Sequence, residues 1–293
     1  MTQEQSQDLH AARGLNQQQL ESIAHLADMC NEHDGLDLKL NWDNLRTRPH
    51  DATNDFLCYN EQGALIGYLP IFAFNPREAE ISGMVHPAYR RRGIFRRLLD
   101  AARFECQRRG IPTILLIVEQ ASTAGLAFVQ SLPVSHDHAE YKMVLDELKI
   151  PERYDTAVQF RSAAAADAPA MKHITASAFE MPENDVDWYT ERILKDSPTR
   201  HFFVGLVGKT IVGKIDVVFE EEEAFIYGFA VAAEYQGRGY GRTILVRTMQ
   251  EIQARGQQHI ALEVVTQNER ALGLYQSCGF RVTGCYQYYR LTL

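Results

Sequence analysis

Apolar and polar positions along the chain alternate between a helical and a strand-like period, and the series runs through twice. Residues 1–16 are polar and Gln-rich, a frayed leader or a first strand. Leu20, Ile23, Ala24, Ala27 and Cys30 then recur at helical spacing over 20–30. The runs 55–59 and 64–74 predict strands joined at the turn Asn60-Glu61-Gln62-Gly63. A strand is expected over 78–85, a helix over 94–107, a β-type run over 112–119, a helix over 121–132 and a closing strand over 139–145. Residues 146–154, punctuated by Pro151, read as a connection. The second series opens with a strand over 157–161. Helices follow over 165–179 and 186–195, the latter with Asp185 as N-cap. A hairpin 201–207/210–219 turns through Gly208-Lys209. The strand 224–231, the helix 242–254, the strand 259–265, the helix 268–277 and two closing strand segments over 281–291 complete it.

The two series align without gaps through their central region at an offset of 146 residues: Val231 falls on Val85, Gln236 on Arg90, Gly239 on Gly93 and Ser277 on Ser131. The chain therefore reads as a tandem pair, 1–148 and 155–293. The copies diverge at polar positions. Glu263 becomes Ile117, Asn268 becomes Ser122, Tyr275 becomes Val129, Gly241 becomes Phe95 and Gly279 becomes Pro133. On that alignment the first copy retains a phosphate-type turn and loses the polar groups that catalysis needs.

In the second copy, Gln236-Gly237-Arg238-Gly239-Tyr240-Gly241 lies between the strand ending at Val231 and a helix. Glycines let backbone approach a ligand closely. The first helical N–H groups lack partners within the helix and carry the positive dipole end. Together they form a cradle for a diphosphate. No Lys-Ser/Thr follows the last glycine, so this is not a P-loop, and the spacing is not that of the dinucleotide fingerprint. The six residues fit Gln/Arg-x-x-Gly-x-Gly/Ala, and the segments Leu262-Glu263-Val264 and Asn268 to Phe280 follow in order. In these signatures residues 157–293 resemble the GCN5-related N-acetyltransferase (GNAT) superfamily. The tandem layout resembles that of the mycothiol synthases, whose activity lies in the second copy.

The resemblance implies an α/β (mixed α+β) fold with two tandem GNAT domains, each a mixed, mostly antiparallel sheet with helices on both faces. The central strand and its parallel neighbour would splay to admit the acetyl-pantetheine arm. It implies acetyl-CoA as donor, bound by Phe229, Val231, Gln236, Gly237, Arg238, Gly239, Tyr240, Gly241, Asn268 and Tyr275. Tyr275 would be the general acid and Glu263 the base. A carboxylate flanked by Leu262 and Val264 is expected to rise toward the range a base needs, and a phenol suits a departing thiolate. Asn268 also suits a helix cap. Val85, Arg90, Arg91, Arg92 and Gly93 form a possible second cofactor site, with Phe95 either obstructing it or turned into the core. Glu223, which shares strand parity with Tyr227, and Trp188 in the preceding helical stretch are candidates for the acceptor side. Each also has a plain structural reading: Glu220 to Glu223 as a solvated turn, and Trp188 and Tyr189 as core aromatics.

Composition narrows the partners. The formal net charge of −8 opposes nucleic-acid binding and suits an amine. Five scattered cysteines without CxxC spacing read as reduced thiols of a cytoplasmic protein, Cys278 and Cys285 as small packed residues. No signal-peptide pattern or membrane-length apolar run is present. No metal is expected, His136-Asp137-His138 reading as surface. The expected activity is transfer of acetyl from acetyl-CoA to a primary amine, with a small-molecule acceptor. A CoA-binding sensor and a protein N-terminal or lysine acetyltransferase are the alternatives. Acceptor identity and oligomeric state have no signature here.

Overall fold

A computed structural model of the chain describes residues 8–150, 157–186, 189 and 199–293. Trp188 and most of the 186–195 stretch lie outside these residues. The chain forms two compact units, Met1–Ala139 with Gly284–Leu293, and Glu140–Thr283.

In the first unit, β1 (Asp8–Ala12), β2 (Asp55–Tyr59), β3 (Leu65–Phe72) and β4 (Glu78–Ile81) pair antiparallel in that order. β6 (Thr113–Glu119) joins β4 in parallel. The expected strand 78–85 is interrupted at Ser82-Gly83, and its last part, β5 (Met84–Val85), pairs with β3. Two helices cover opposite faces because neighbouring strand residues point opposite ways. α1 (Gln17–Asp34) packs Ile23 and Leu26 on Leu57, Tyr68 and Phe72. α3 (Ile94–Arg108) packs Leu98, Leu99 and Ala102 among Phe56, Ile66 and Leu69. A reciprocal capping box between Asn16 and Gln19 starts α1, and Gly35 in the left-handed conformation ends it. The short helices α2 (Trp42–Thr47) and α4 (Thr123–Gln130) complete the unit.

In the second unit, β8 (Val158–Ser162), β9 (Arg200–Val207), β10 (Thr210–Phe219) and β11 (Ala224–Val231) pair antiparallel. β12 (Ile260–Val265) joins β11 in parallel. α6 (Tyr240–Ala254) packs Ile244, Leu245 and Met249 in one core. α5 (Ala168–Ala178) puts Met171 and Ala176 against Phe202, Val204 and Leu206 in another. α5 is shorter than the predicted 165–179 because Ala165–Asp167 forms a 3₁₀ turn ahead of Pro169. α7 (Glu269–Ser277) follows β12.

The units close by exchange of strands. β7 (Ser135–Leu145) leaves the first unit at Ala139, and its residues Glu140 to Val144 pair with β12. β13 (Phe280–Thr292) is one strand where two segments were expected, and Tyr286 to Thr292 pair with β6. The repeat seen in the sequence and the compact units therefore divide the chain differently. In each unit the strands are mixed and mostly antiparallel with helices on both faces, the expected fold class.

Candidate active site and its counterpart in the first copy

β11 and β12 pair only from Ala224 with Ile260 to Ile226 with Leu262. Beyond that point they part, and the next residues, Tyr227 and Glu263, stand at the fork. β11 carries a one-residue bulge there. It advances four positions from Tyr227 to Val231 while β10 advances three, from Asp216 to Gly213. Gly228 supplies the positive φ of 54° within it. The first copy has no such bulge: Ile71 to Gly67 on β3 faces Ile81 to Val85, four positions on each side.

After Val231, a 3₁₀ turn at Ala233–Tyr235 leads into the glycine-rich segment. Gln236 ties the turn to the strand, donating from Nε2 to the Val231 carbonyl at 3.0 Å. Arg270 in turn donates to Gln236 Oε1 at 2.8 Å. Arg238 donates back to the Glu234 carbonyl at 3.0 Å and lies over the Tyr235 ring. Gly237 and Gly239 hold φ of 77° and 84°, which favour glycine. No side chain caps α6, and a Cβ at Gly239 would meet nothing within 4 Å. The opening N–H groups of α6, from Tyr240 and Gly241, thus face an open cradle that fits a diphosphate.

Tyr275 comes from α7, and Asn268 caps that helix by accepting the Ala271 N–H at 3.0 Å. Tyr275 is buried beside Phe229 and Phe280, and burial pushes its phenol up to about 12. Among the described residues its hydroxyl has no protein hydrogen-bond partner, and it is not among the side-chain oxygens closed to solvent. Glu263 is half-buried on β12, and Glu223 is half-buried in a turn where Glu220 N–H donates to its carbonyl at 2.8 Å.

Sequence reasoning missed one polar cluster. Lys214 and Asp216 are fully buried on β10, joined at 2.5 Å. The Tyr189 hydroxyl donates to Asp216 at 2.8 Å and also meets Lys214. A Cβ on Gly228 would lie 2.8 Å from both Asp216 Oδ2 and Lys214 Nζ, so the cluster backs directly onto the bulge. Burial first, and Asp216 second, hold the Tyr189 phenol far above its usual value. Two charges spaced i, i+2 within the apolar run Ile211 to Phe219 were the available signal. Tyr189 is thus a core aromatic with its hydroxyl in a polar network. The first copy buries its own network near Tyr68, the residue aligned with Lys214. Arg48 pairs with Asp55, which also accepts from the Tyr68 hydroxyl at 2.6 Å.

The first-copy turn repeats the second in detail. Arg90 donates to the Val85 carbonyl at 3.0 Å, as Gln236 does to Val231. Arg92 donates to the Ala88 carbonyl at 3.1 Å, as Arg238 does to Glu234. Gly93 has φ 77°, and Arg91 adopts φ 64° where the second copy has Gly237. Phe95 does not fill the turn. Its ring packs edge-on against Phe128, 4.8 Å between centroids, and lies 3.0 Å from where a Cβ on Gly83 would be. In the second copy the sizes are exchanged. Phe229 stands where Gly83 does, and a Cβ on Gly241 would lie 3.6 Å from the Phe229 ring. One ring fills this space in either copy, supplied by the helix in the first and by the strand in the second.

A cleft of about 630 Å³ opens beside this first turn, wholly within the first unit. It is lined by α1 and the following loop on one side, by α3 and α4 on the other, and by Ile117 and Glu119 of β6 between them. Glu119 is a carboxylate in this cleft that the alignment of the two copies did not single out. It aligns with Val265 rather than Glu263, so the repeat alone concealed it.

The Acetyltransferase (GNAT) family model matches residues 20–132 and again 168–280. The chain belongs to this family. It is 26% identical over 277 residues to a mycothiol acetyltransferase of Thermomonospora curvata, covering 91% of this chain and 92% of that one. It is 32% identical over 116 residues to the [Ribosomal protein bS18]-alanine N-acetyltransferase of Escherichia coli, covering 39% of this chain and 74% of the relative. Among solved structures, a GCN5-related N-acetyltransferase from Sphaerobacter thermophilus superposes with a TM-score of 0.79 at 19% identity, over 98% of this chain and 95% of that one. A tandem GNAT protein from the clavulanic acid biosynthesis pathway gives 0.73 at 13%, over 98% of both chains. These likenesses establish the tandem fold, and the family establishes an acetyltransferase. No helix among the described residues is long and apolar enough to cross a membrane, and no metal-type cluster is found among them.

Proposed function

We propose that the second copy moves acetyl from acetyl-CoA to a small primary amine by direct attack. The observation that carries this reading is Tyr275: a buried phenol, protonated up to about pH 12, beside the parted strand, with no protein acceptor for its proton among the described residues. The glycine turn at 236–241 would hold the diphosphate of acetyl-CoA, and the fork at Ile226/Leu262 would admit its thioester arm.

In this reading Glu263 removes a proton from the acceptor ammonium. The amine nitrogen then attacks the thioester carbonyl, backbone N–H groups of β11 beyond the fork stabilise the oxyanion, and the C–S bond breaks. Tyr275 gives its proton to the departing thiolate. The bulge at Gly228 and the Lys214–Asp216–Tyr189 network behind it hold the strand in that shape. Glu223, Tyr227 and Trp188 are assigned to the acceptor side, Trp188 on sequence alone.

The first copy is assigned no transfer, because Val129 replaces the acid and Ile117 the base. Its repeated turn, with Phe95 displaced from it, supports binding of a second CoA moiety through Val85, Arg90 to Arg92 and Gly93. Free cysteines and the acidic balance support a cytoplasmic setting. The bS18-alanine relative supports one further reading, a protein N-terminal amine as acceptor. Thiol release from acetyl-CoA with a panel of small amines beside peptides with free N-termini decides between them. No release with any acceptor would overturn transfer itself and leave a CoA sensor.

A further inference from the structure

The first-copy cleft contains an acidic group that the reaction above does not use. Glu119 ends β6 and shares strand parity with Leu115 and Ile117. Those two residues pack with Tyr286 and Tyr288, whereas Ile114 and Leu116 pack with α3 on the opposite face. Glu119 therefore stands on the α1 side of the sheet, and its carboxylate accepts from the backbone N–H groups of Asp37, in the loop after α1, and of Ala121. Its Oε2 is shut off from solvent and has no hydrogen-bond partner among the described residues.

The other charges on this side are already matched. Arg90 grips Asp34 in a two-pronged pair at 2.9 and 2.6 Å. Lys39 meets the Tyr288 hydroxyl and lies over the rings of Tyr286 and Tyr288. What remains is a largely apolar cleft of about 630 Å³ with the Glu119 carboxylate on its wall, held by no cation among the described residues. That volume is ordinary for a small-molecule site. A carboxylate on an apolar wall with no cation beside it favours a ligand that brings a charged donor.

We propose that the α1 side of the first-copy cleft binds a small primary amine, its ammonium on Glu119 and its apolar body against Ile117 and Tyr286. This goes beyond the proposed function, which gives the first copy only a CoA turn, and it does not depend on chemistry in the second copy. The carboxylate lies one pleat along the strand from the position matching Glu263. The first copy thus has an acceptor-type group of its own that the gapless repeat does not reveal.

The test is made on the full chain carrying Glu223→Gln and Glu263→Gln, which removes both carboxylates assigned to the second copy's acceptor side. Hexylamine and phenethylamine are titrated beside the matched alcohols, hexanol and 2-phenylethanol. The amines are expected to bind at least about tenfold more tightly than the alcohols. Adding Glu119→Gln is expected to abolish that preference while acetyl-CoA affinity is kept. Equal binding of amine and alcohol, or an amine preference that survives Glu119→Gln, overturns the proposal. Loss of acetyl-CoA binding in a folded Glu119→Gln chain overturns it too, because the carboxylate would then serve the cofactor. Should Glu119→Gln not fold, nuclear Overhauser contacts from phenethylamine to the Ile117 methyls and Tyr286 ring of the Glu223→Gln/Glu263→Gln chain decide. Their presence supports the site and their absence at saturating amine sinks it. A null result for Tyr275→Phe would defeat the second-copy mechanism and leave this titration untouched.

Discussion

Tyr275 shows how one side chain separates packing from chemistry. Its ring is core, and its hydroxyl has no protein partner among the described residues. Tyr275→Phe keeps the packing and is expected to lower kcat by about 10²–10⁴-fold. The KM for acetyl-CoA should change little, because a proton given only in the transition state does not bind ground-state substrate. The sign of the pH effect follows from the direction of the shift. An acid raised to about 12 stays protonated through the neutral range. Wild-type kcat should therefore show no alkaline loss from this group below about pH 10, which a pH series of thiol release would reveal. Two backbone predictions accompany it. Gly239→Ala places a Cβ at φ 84° and should weaken acetyl-CoA binding by roughly 5–30-fold in calorimetry. Arg91→Gly relieves an L-residue at φ 64°, a cost of about 1–2 kcal/mol, offset by glycine's greater chain entropy. A net stabilisation of up to about 1 kcal/mol is expected, seen as a raised melting temperature.

At the scale of single elements, buried charge distinguishes strands that otherwise look alike. Asp55 is fully buried on β2, held by Arg48 and Tyr68, and burial lifts its carboxyl above the usual range even with Arg48 beside it. Arg48→Met leaves that carboxylate without its cation and should cost about 3–5 kcal/mol at neutral pH. Because the folded pKa is raised, ionised Asp55 weakens the fold as pH rises through that value. The penalty in Arg48→Met should therefore shrink as pH falls and Asp55 takes up a proton. A penalty independent of pH in denaturant titrations would point to lost packing instead. The bulge in β11 is a second feature of this scale. The run Ala224 to Val231 shows the strand, and Gly228 hints at irregularity. The extra residue exists only through pairing with β10, which a strand's own sequence does not contain.

Across the whole molecule, the exchange of closing strands governs how the chain can be cut. Tyr286 to Thr292 complete the sheet of the first unit through β6, and Leu291 is buried in its core. A chain ending at Thr283 should lose hydrogen-exchange protection in β6, Thr113–Glu119, while the β9–β10 hairpin keeps its own. Unchanged protection in β6 would show that the last strand contributes little to that unit. By the same reasoning, a fragment of residues 1–148 lacks its closing strand and is expected to unfold without a cooperative transition unless residues 284–293 are supplied.

Local pattern alone determined that the chain is a tandem pair, where most strands and helices lie, and which six residues form the second turn. Periodicity, glycine positions and a constant offset are properties of neighbouring residues, so they survive without a fold. The same is true of Asn268 as a cap, whereas Tyr275 as the acid candidate came from the family resemblance. Tertiary structure decided the rest. That Phe95 leaves its turn open depends on Gly83, which approaches only when strand and helix pack. That Glu119 faces the first cleft depends on strand parity and on Asp37 from a distant loop. That Lys214 and Asp216 are buried beside Tyr189, and that each copy ends in the other's unit, depend on long-range pairing that no window of sequence encodes.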